Sequence, residues 1–171
     1  MPLYCWMADR DRIDARPLLD GYPFISKPVT TVPHFAGQLP SCLIDRNKLK
    51  QVLVNLFTNA CHAMPAGGQL LVTTRAHRVR AEDGHPPFKA GDLLVLVEIA
   101  DNGTGIAPEH LSKIFDPYFT TKETGKGNGL GLTVAKTIID LHGGRINVTN
   151  RSEGGAIATI ALPSQREDEK T

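Results

Sequence analysis

The chain has few of the features that place a protein quickly. It carries only three cysteines, Cys5, Cys42 and Cys61, in 171 residues. They show no C-x-x-C spacing and cannot all pair. That argues against a disulfide framework or a local zinc site and for a reducing, cytoplasmic setting. An excess of one charge is lacking too, since 19 Lys and Arg against 18 Asp and Glu leave a net charge of +1. No nucleic acid or other polyanion is implied as a partner by that balance. No apolar run approaches the roughly 20 residues of a membrane span, so no membrane contact is expected from this domain. The start of the chain lacks the basic-then-apolar layout of a signal peptide. Also missing are G-x-x-x-x-G-K-S/T, a G-x-G-x-x-G run behind a strand, and a local Ser-His-Asp arrangement.

What is present is ordinary globular material, with 41% hydrophobic and 22% charged residues. Residues 1–38 hold Pro2, Pro17, Pro23, Pro28 and Pro33. This spacing blocks long helices and reads as a linker or a poorly defined extension. Residues 39–163 read as one domain, and 164–171 as a charged tail. Residues 39–44 suggest a short strand, and Asp45 an N-cap. A helical period follows, with Leu49, Val52, Leu53, Leu56, Ala60 and Ala63 on one face. The run Pro65-Ala66-Gly67-Gly68 ends it. Strands are expected over 69–75 and over 93–100, the second apolar enough to be buried on both faces. A polar, Gly- and Pro-rich excursion separates them. A short helix is expected over 108–115, a loop over 116–129 and a helix over 130–141. Paired strands follow over 145–150 and 156–162. This order predicts an α/β two-layer sandwich with helices on one face of a mixed sheet.

Three constellations carry chemistry. Asn55 and Asn59 lie four residues apart and share one flank of the first helix, with His62 close by. An asparagine carbonyl is a neutral hard-oxygen ligand suited to Mg²⁺ alongside substrate phosphates. The same asparagines also suit a solvated helix, and His62 suits a plain surface position as well as a phosphate contact. Asp101 follows directly on the buried strand, within Asp101-Asn102-Gly103-Thr104-Gly105. A carboxylate there can accept from the exocyclic amine of adenine, where guanine presents a carbonyl. Gly103 and Gly105 let backbone approach a flat base. The bland alternative is a simple Asp-Asn-Gly turn. The third stretch runs from Phe115 to Lys122, then into Gly125-Lys126-Gly127-Asn128-Gly129-Leu130-Gly131-Leu132. Aromatic residues such as Phe119 anchor a loop from which Thr121, Lys122 and Lys126 reach phosphates. The glycines open a helix whose N-terminus favours an anion. Loop packing with solvated lysines is the plainer reading.

Taken together and in this order, the stretches resemble the ATP-binding catalytic domain of two-component sensor histidine kinases. That domain belongs to the wider gyrase, Hsp90, histidine kinase and MutL superfamily. Residues 51–60 are similar to its N box, 101–106 to its G1 box, 115–122 to its F box and 127–132 to its G2 box. The Phe-Thr-Thr-Lys form looks closest to nitrogen-regulation-type sensors. The resemblance implies the Bergerat fold, with a mixed sheet of about five strands. It implies Mg-ATP as ligand, with Asn59 on the metal, Asn55 assisting and Asp101 reading adenine. Gly103, Gly105, Ile106, His62, Phe119, Thr121, Lys122, Lys126, Gly127, Gly129, Leu130, Gly131 and Leu132 complete the implied ATP site. Asn55, Asn59 and Lys122 are its implied catalytic residues.

The implied partners are a histidine-bearing dimerisation hairpin, in the full-length protein or in trans, and a response-regulator receiver domain. A cytoplasmic place follows, including as the cytoplasmic part of a membrane-anchored sensor. Two departures stand out. None of the six histidines fits the family's phospho-acceptor motif, so the acceptor is expected outside these residues. Thr58 stands where many members carry an acidic residue before the second N-box asparagine. The alternative is therefore a nucleotide-binding interaction module without phosphotransfer. A MutL-like hydrolase is disfavoured, because Asn55 stands where those enzymes place a glutamate base.

Overall fold

A computed structural model of the chain describes residues 29–82, 86–122 and 127–165. Lys126, the charged tail from 166 and residues 1–28 of the expected linker lie outside the described residues.

Five strands form one sheet in the order β1-β2-β3-β5-β4. They are β1 (Val29–Phe35), β2 (Gly68–Arg78), β3 (Leu93–Asp101), β4 (Arg145–Asn150) and β5 (Ala156–Pro163). The helices are α1 (Arg46–Ala63), the short α2 (Pro108–Leu111) and α3 (Gly131–Leu141). Only β1 and β2 pair in parallel, with α1 as the crossover between them. The other three pairings are antiparallel. This is the expected mixed sheet, with helices on one side.

α1 forms where its period promised. Asp45 caps it, its carboxylate accepting from Asn47 N at 2.8 Å and Lys48 N at 3.0 Å. Those bonds, the one from Lys48 foremost, hold its carboxyl below the usual range. Leu49, Val52, Leu53, Leu56, Phe57 and Ala60 are buried. Phe57 joins this face where the sequence pattern had placed Ala63. The opposing wall comes from alternate residues of the sheet, among them Leu70, Val72, Val95, Val97, Ile99, Ile160 and Leu162. Ala135, Ile138 and Ile139 of α3 fill the same core.

β3 is buried on both faces, as its apolar run predicted. Leu94 and Leu96 point away from the helices into a second cluster with Val79, against which Phe88 packs. The polar excursion between β2 and β3 therefore covers that patch of the sheet.

Three expectations need correction. Residues 39–44 form no strand; Cys42 makes only an isolated bridge to Ser164. The helix expected over 108–115 stops at Leu111 and continues as turns. The sheet begins at Val29, inside the stretch read as linker. Pro33 is tolerated in β1 because an edge strand leaves one row of backbone groups unpaired.

Candidate functional site

The last two turns of α1 are the meeting line of the sequence motifs. At its end, Thr104 N donates to Ala63 O at 3.0 Å. Gly103 lies so close that a Cβ there would stand 2.3 Å from the same oxygen. Glycine is required by contact at that position, not by flexibility. Farther up α1, Asn55 Nδ2 donates to Gly131 O at 3.0 Å, fixing the start of α3. Between these two contacts, Lys122 Nζ donates to Asn59 Oδ1 at 3.1 Å and lies 2.9 Å from His62 Nδ1. The G1, F and G2 stretches thus converge on the N-box helix.

Asp101 is only 5% exposed at the end of β3. Its Oδ1 accepts from Gly103 N at 2.9 Å and from Ala156 N at 3.2 Å. Among the described residues no donor reaches its Oδ2. The Asp101 charge is also felt at Cys61 on α1, whose thiol is pushed up mainly by burial and further by that carboxylate. Cys42, deeper in the core, is pushed up to about 12 by burial. Both cysteines are free thiols.

Lys122 is a half-buried cation. Burial pulls its pKa below the ordinary lysine value. Its partners among the described residues are an amide oxygen and an imidazole, not a carboxylate. A buried ammonium without an anion favours an incoming one. His62 is likewise shifted down, first by burial and then by Lys122, against a smaller opposite effect of the Thr58 backbone.

The remaining expected residues fall around this line. Gly105 and Gly129 have positive φ, 70° and 66°. A Cβ on Gly129 would sit 2.4 Å from the carbonyl carbon of Tyr118, itself at φ 64°. Gly127 packs against the Lys122 side chain. Leu130 N is held by Asn128 Oδ1 at 3.1 Å, just before α3. The Phe119 ring meets His110 edge-on at 5.4 Å, and Thr121 is exposed. Leu132 turns toward the core. Ile106 is held through both backbone groups by Asn150, a residue the sequence reading did not single out. Arg151, also missed, donates to Asp101 O at 2.8 Å. No local motif announces either one.

The donor set suits a nucleotide with a divalent cation. A neutral amide oxygen at Asn59 already faces the Lys122 cation, and among the described residues a buried carboxylate keeps one oxygen unengaged.

The fold is that of an ATP-binding domain, and comparison with known proteins agrees. The family described as histidine kinase-, DNA gyrase B- and HSP90-like ATPase matches residues 44–166, and the chain belongs to it. Its relatives include the sensor histidine kinase ZraS of Klebsiella oxytoca, 39% identical over 140 residues, covering 80% of this chain and 27% of that protein. The sensor kinase CckA of Brucella abortus (strain 2308) is 41% identical over 130 residues, covering 74% of this chain and 13% of its own length. Among solved structures, a nucleotide-free form of the catalytic domain of histidine kinase ThkA superposes with a TM-score of 0.63. It is 27% identical, over 95% of this chain and 90% of that one. The chain therefore spans about a quarter or less of the curated relatives named here.

Proposed function

We propose that this chain is the catalytic module of a sensor histidine kinase. It binds Mg-ATP and presents the γ-phosphoryl to a histidine on a helical hairpin, from which a receiver domain takes it. The observation that carries this reading is the convergence on α1. An amide oxygen for the metal (Asn59), a phosphate cation (Lys122) and the purine-reading segment after Asp101 all adjoin one helix. In this reading Asp101 Oδ2 accepts from the adenine amine. Asn59 Oδ1 would hold Mg²⁺, and the ion would supply neutralisation of phosphate charge. Lys122 would pair with phosphate oxygens. Asn55 holds the first turn of α3, whose free N–H groups face the phosphates. Thr121 adds a contact, and the resemblance implies one from Lys126. Catalysis is then positioning and charge neutralisation. The cytoplasm is the compartment where such a module meets ATP.

The test is titration with a fluorescent ATP analogue, with and without Mg²⁺. Asn59→Ala is expected to abolish the gain in affinity that Mg²⁺ gives, while metal-free binding survives. An unchanged Mg²⁺ dependence would count against the site. Thr58 favours a second reading, a nucleotide-binding module without phosphotransfer, because threonine cannot serve as a base at neutral pH. Radiolabel passing from ATP to a separately supplied histidine hairpin excludes it.

A further inference from the structure

We infer that the corner between β4 and β5 positions the purine-reading segment, with Asn150 and Arg151 as the residues that hold it. The inference rests on the nucleotide reading above and concerns what makes Asp101 selective.

The segment 101–106 contains two glycines, one with a positive φ, so its own sequence leaves many conformations open. The tertiary structure removes that freedom from one side. Asn150 Oδ1 accepts from Ile106 N at 2.8 Å, and its Nδ2 donates to Ile106 O at 2.6 Å. The side-chain amide thus pairs with one backbone unit as a neighbouring strand would. Both of its groups are engaged, and the residue it holds lies 44 positions away. Arg151 Nη1 donates to Asp101 O at 2.8 Å, while Nη2 donates to Glu153 Oε2 at 2.9 Å. Its charge is therefore matched within the corner, and it is not a phosphate contact. The corner itself is tight. Arg151 N donates to Gly155 O at 3.0 Å, and Gly155 sits at φ 81°. A Cβ on Gly155 would lie 2.1 Å from Asp101 O. Ala156 N, the next residue, donates to Asp101 Oδ1.

The corner grips both ends of the segment: Asp101 by its carbonyl and one carboxylate oxygen, Ile106 by both backbone groups. Among the described residues, what remains unengaged at Asp101 is Oδ2. A base-reading oxygen discriminates only if its direction is fixed before the base arrives. Asn150 and Arg151 are positioning residues for that discrimination and make no contact with the phosphates.

The experiment is calorimetric titration of the 171-residue chain with ADP, GDP and inorganic tripolyphosphate, each with Mg²⁺. Asn150→Ala is expected to weaken ADP about tenfold, to leave tripolyphosphate within about twofold, and to narrow the preference for ADP over GDP. Arg151→Met should act in the same sense, and Arg151→Lys, which keeps the charge and one donor, should act less. Equal losses for ADP and tripolyphosphate, or no loss for ADP, overturn the inference. Should Asn150→Ala fail to fold, Asn150→Asp keeps the acceptor for Ile106 N and sets a second acceptor against Ile106 O. Its loss must then be confined to ADP; a loss shared with tripolyphosphate refutes the proposal. A wild-type chain that binds neither probe removes the nucleotide reading itself, which the variants alone do not address.

Discussion

At the scale of single residues, the chemistry of the site depends on side chains kept in uncomfortable surroundings. Lys122 and His62 illustrate this. The lysine is charged, half-buried and, among the described residues, without a carboxylate, and it stands 2.9 Å from an imidazole. Burial first, and then the nearby Lys122 charge, make His62 hold a proton less readily in the folded chain than in the unfolded one. Its ordinary value is 6.5 and the fold lowers it. The unfolded state then binds more protons on acidification, so stability contributed by neutral His62 is present above that value and is lost below it. Melting temperature should fall between about pH 7.5 and about pH 5.5, and fall less in His62→Gln. A variant whose acid sensitivity equals the wild type's would remove His62 from this account. The four motifs were legible at this scale, because each is a short run of chemically distinctive residues. Asn150 and Arg151 were not. Asparagine and arginine before a turn have many uses, and only the reach across the sheet shows this one.

At the scale of elements, α3 is fastened to α1 at both ends. Asn55 holds Gly131 at its start, and at its far end His142 Nε2 accepts from Asp45 N at 3.2 Å. His142 Nδ1 lies 2.7 Å from Ile138 O, so the neutral tautomer with hydrogen on Nδ1 satisfies both contacts. The two glycines that open α3 differ in what they require. Gly129 has a positive φ and no room for a methyl group, whereas a Cβ on Gly131 would meet nothing nearer than 3.6 Å. Gly129→Ala should distort the loop base and cost about 2 kcal/mol or more, read as a lowered urea midpoint. Gly131→Ala should fall within about 0.5 kcal/mol of wild type or stabilise slightly, since alanine suits a helix better. Reversed effects would show that the loop geometry described here is wrong. Sequence spacing treated both glycines alike; local φ and packing separate them.

At the scale of the whole molecule, the domain begins earlier than composition suggested. β1 pairs with β2 over seven residues, and Val29 and Phe35 pack on the core. Two truncations isolate its contribution. A chain beginning at residue 39 should be less stable than one beginning at residue 29 by about 2 kcal/mol, measured by urea unfolding. Equal midpoints would restore the linker reading. β1 was illegible because it is short, carries Pro33 and lacks clean alternation. Its only strong signal is a parallel partner some 40 positions away, which no local pattern reveals. Residues 39–44 erred the other way. They are apolar enough for a strand, yet their pairing is limited to the isolated Cys42–Ser164 bridge, where Gln165 N donates to Ser41 O at 2.8 Å.

The amino-acid order alone settled α1, the double burial of β3, the pairing of the final strands and the kind of ligand the motifs suit. Those conclusions rest on periodicity and on residue types acting over a few positions. The fold decided the rest: that Lys122 leans on Asn59 and His62, that Gly103 touches Ala63, and that the β4–β5 corner holds Asp101. Each of these joins groups dozens of residues apart. Such contacts exist only once the apolar faces of the helices and the sheet have closed on one core, because that closure fixes the distances.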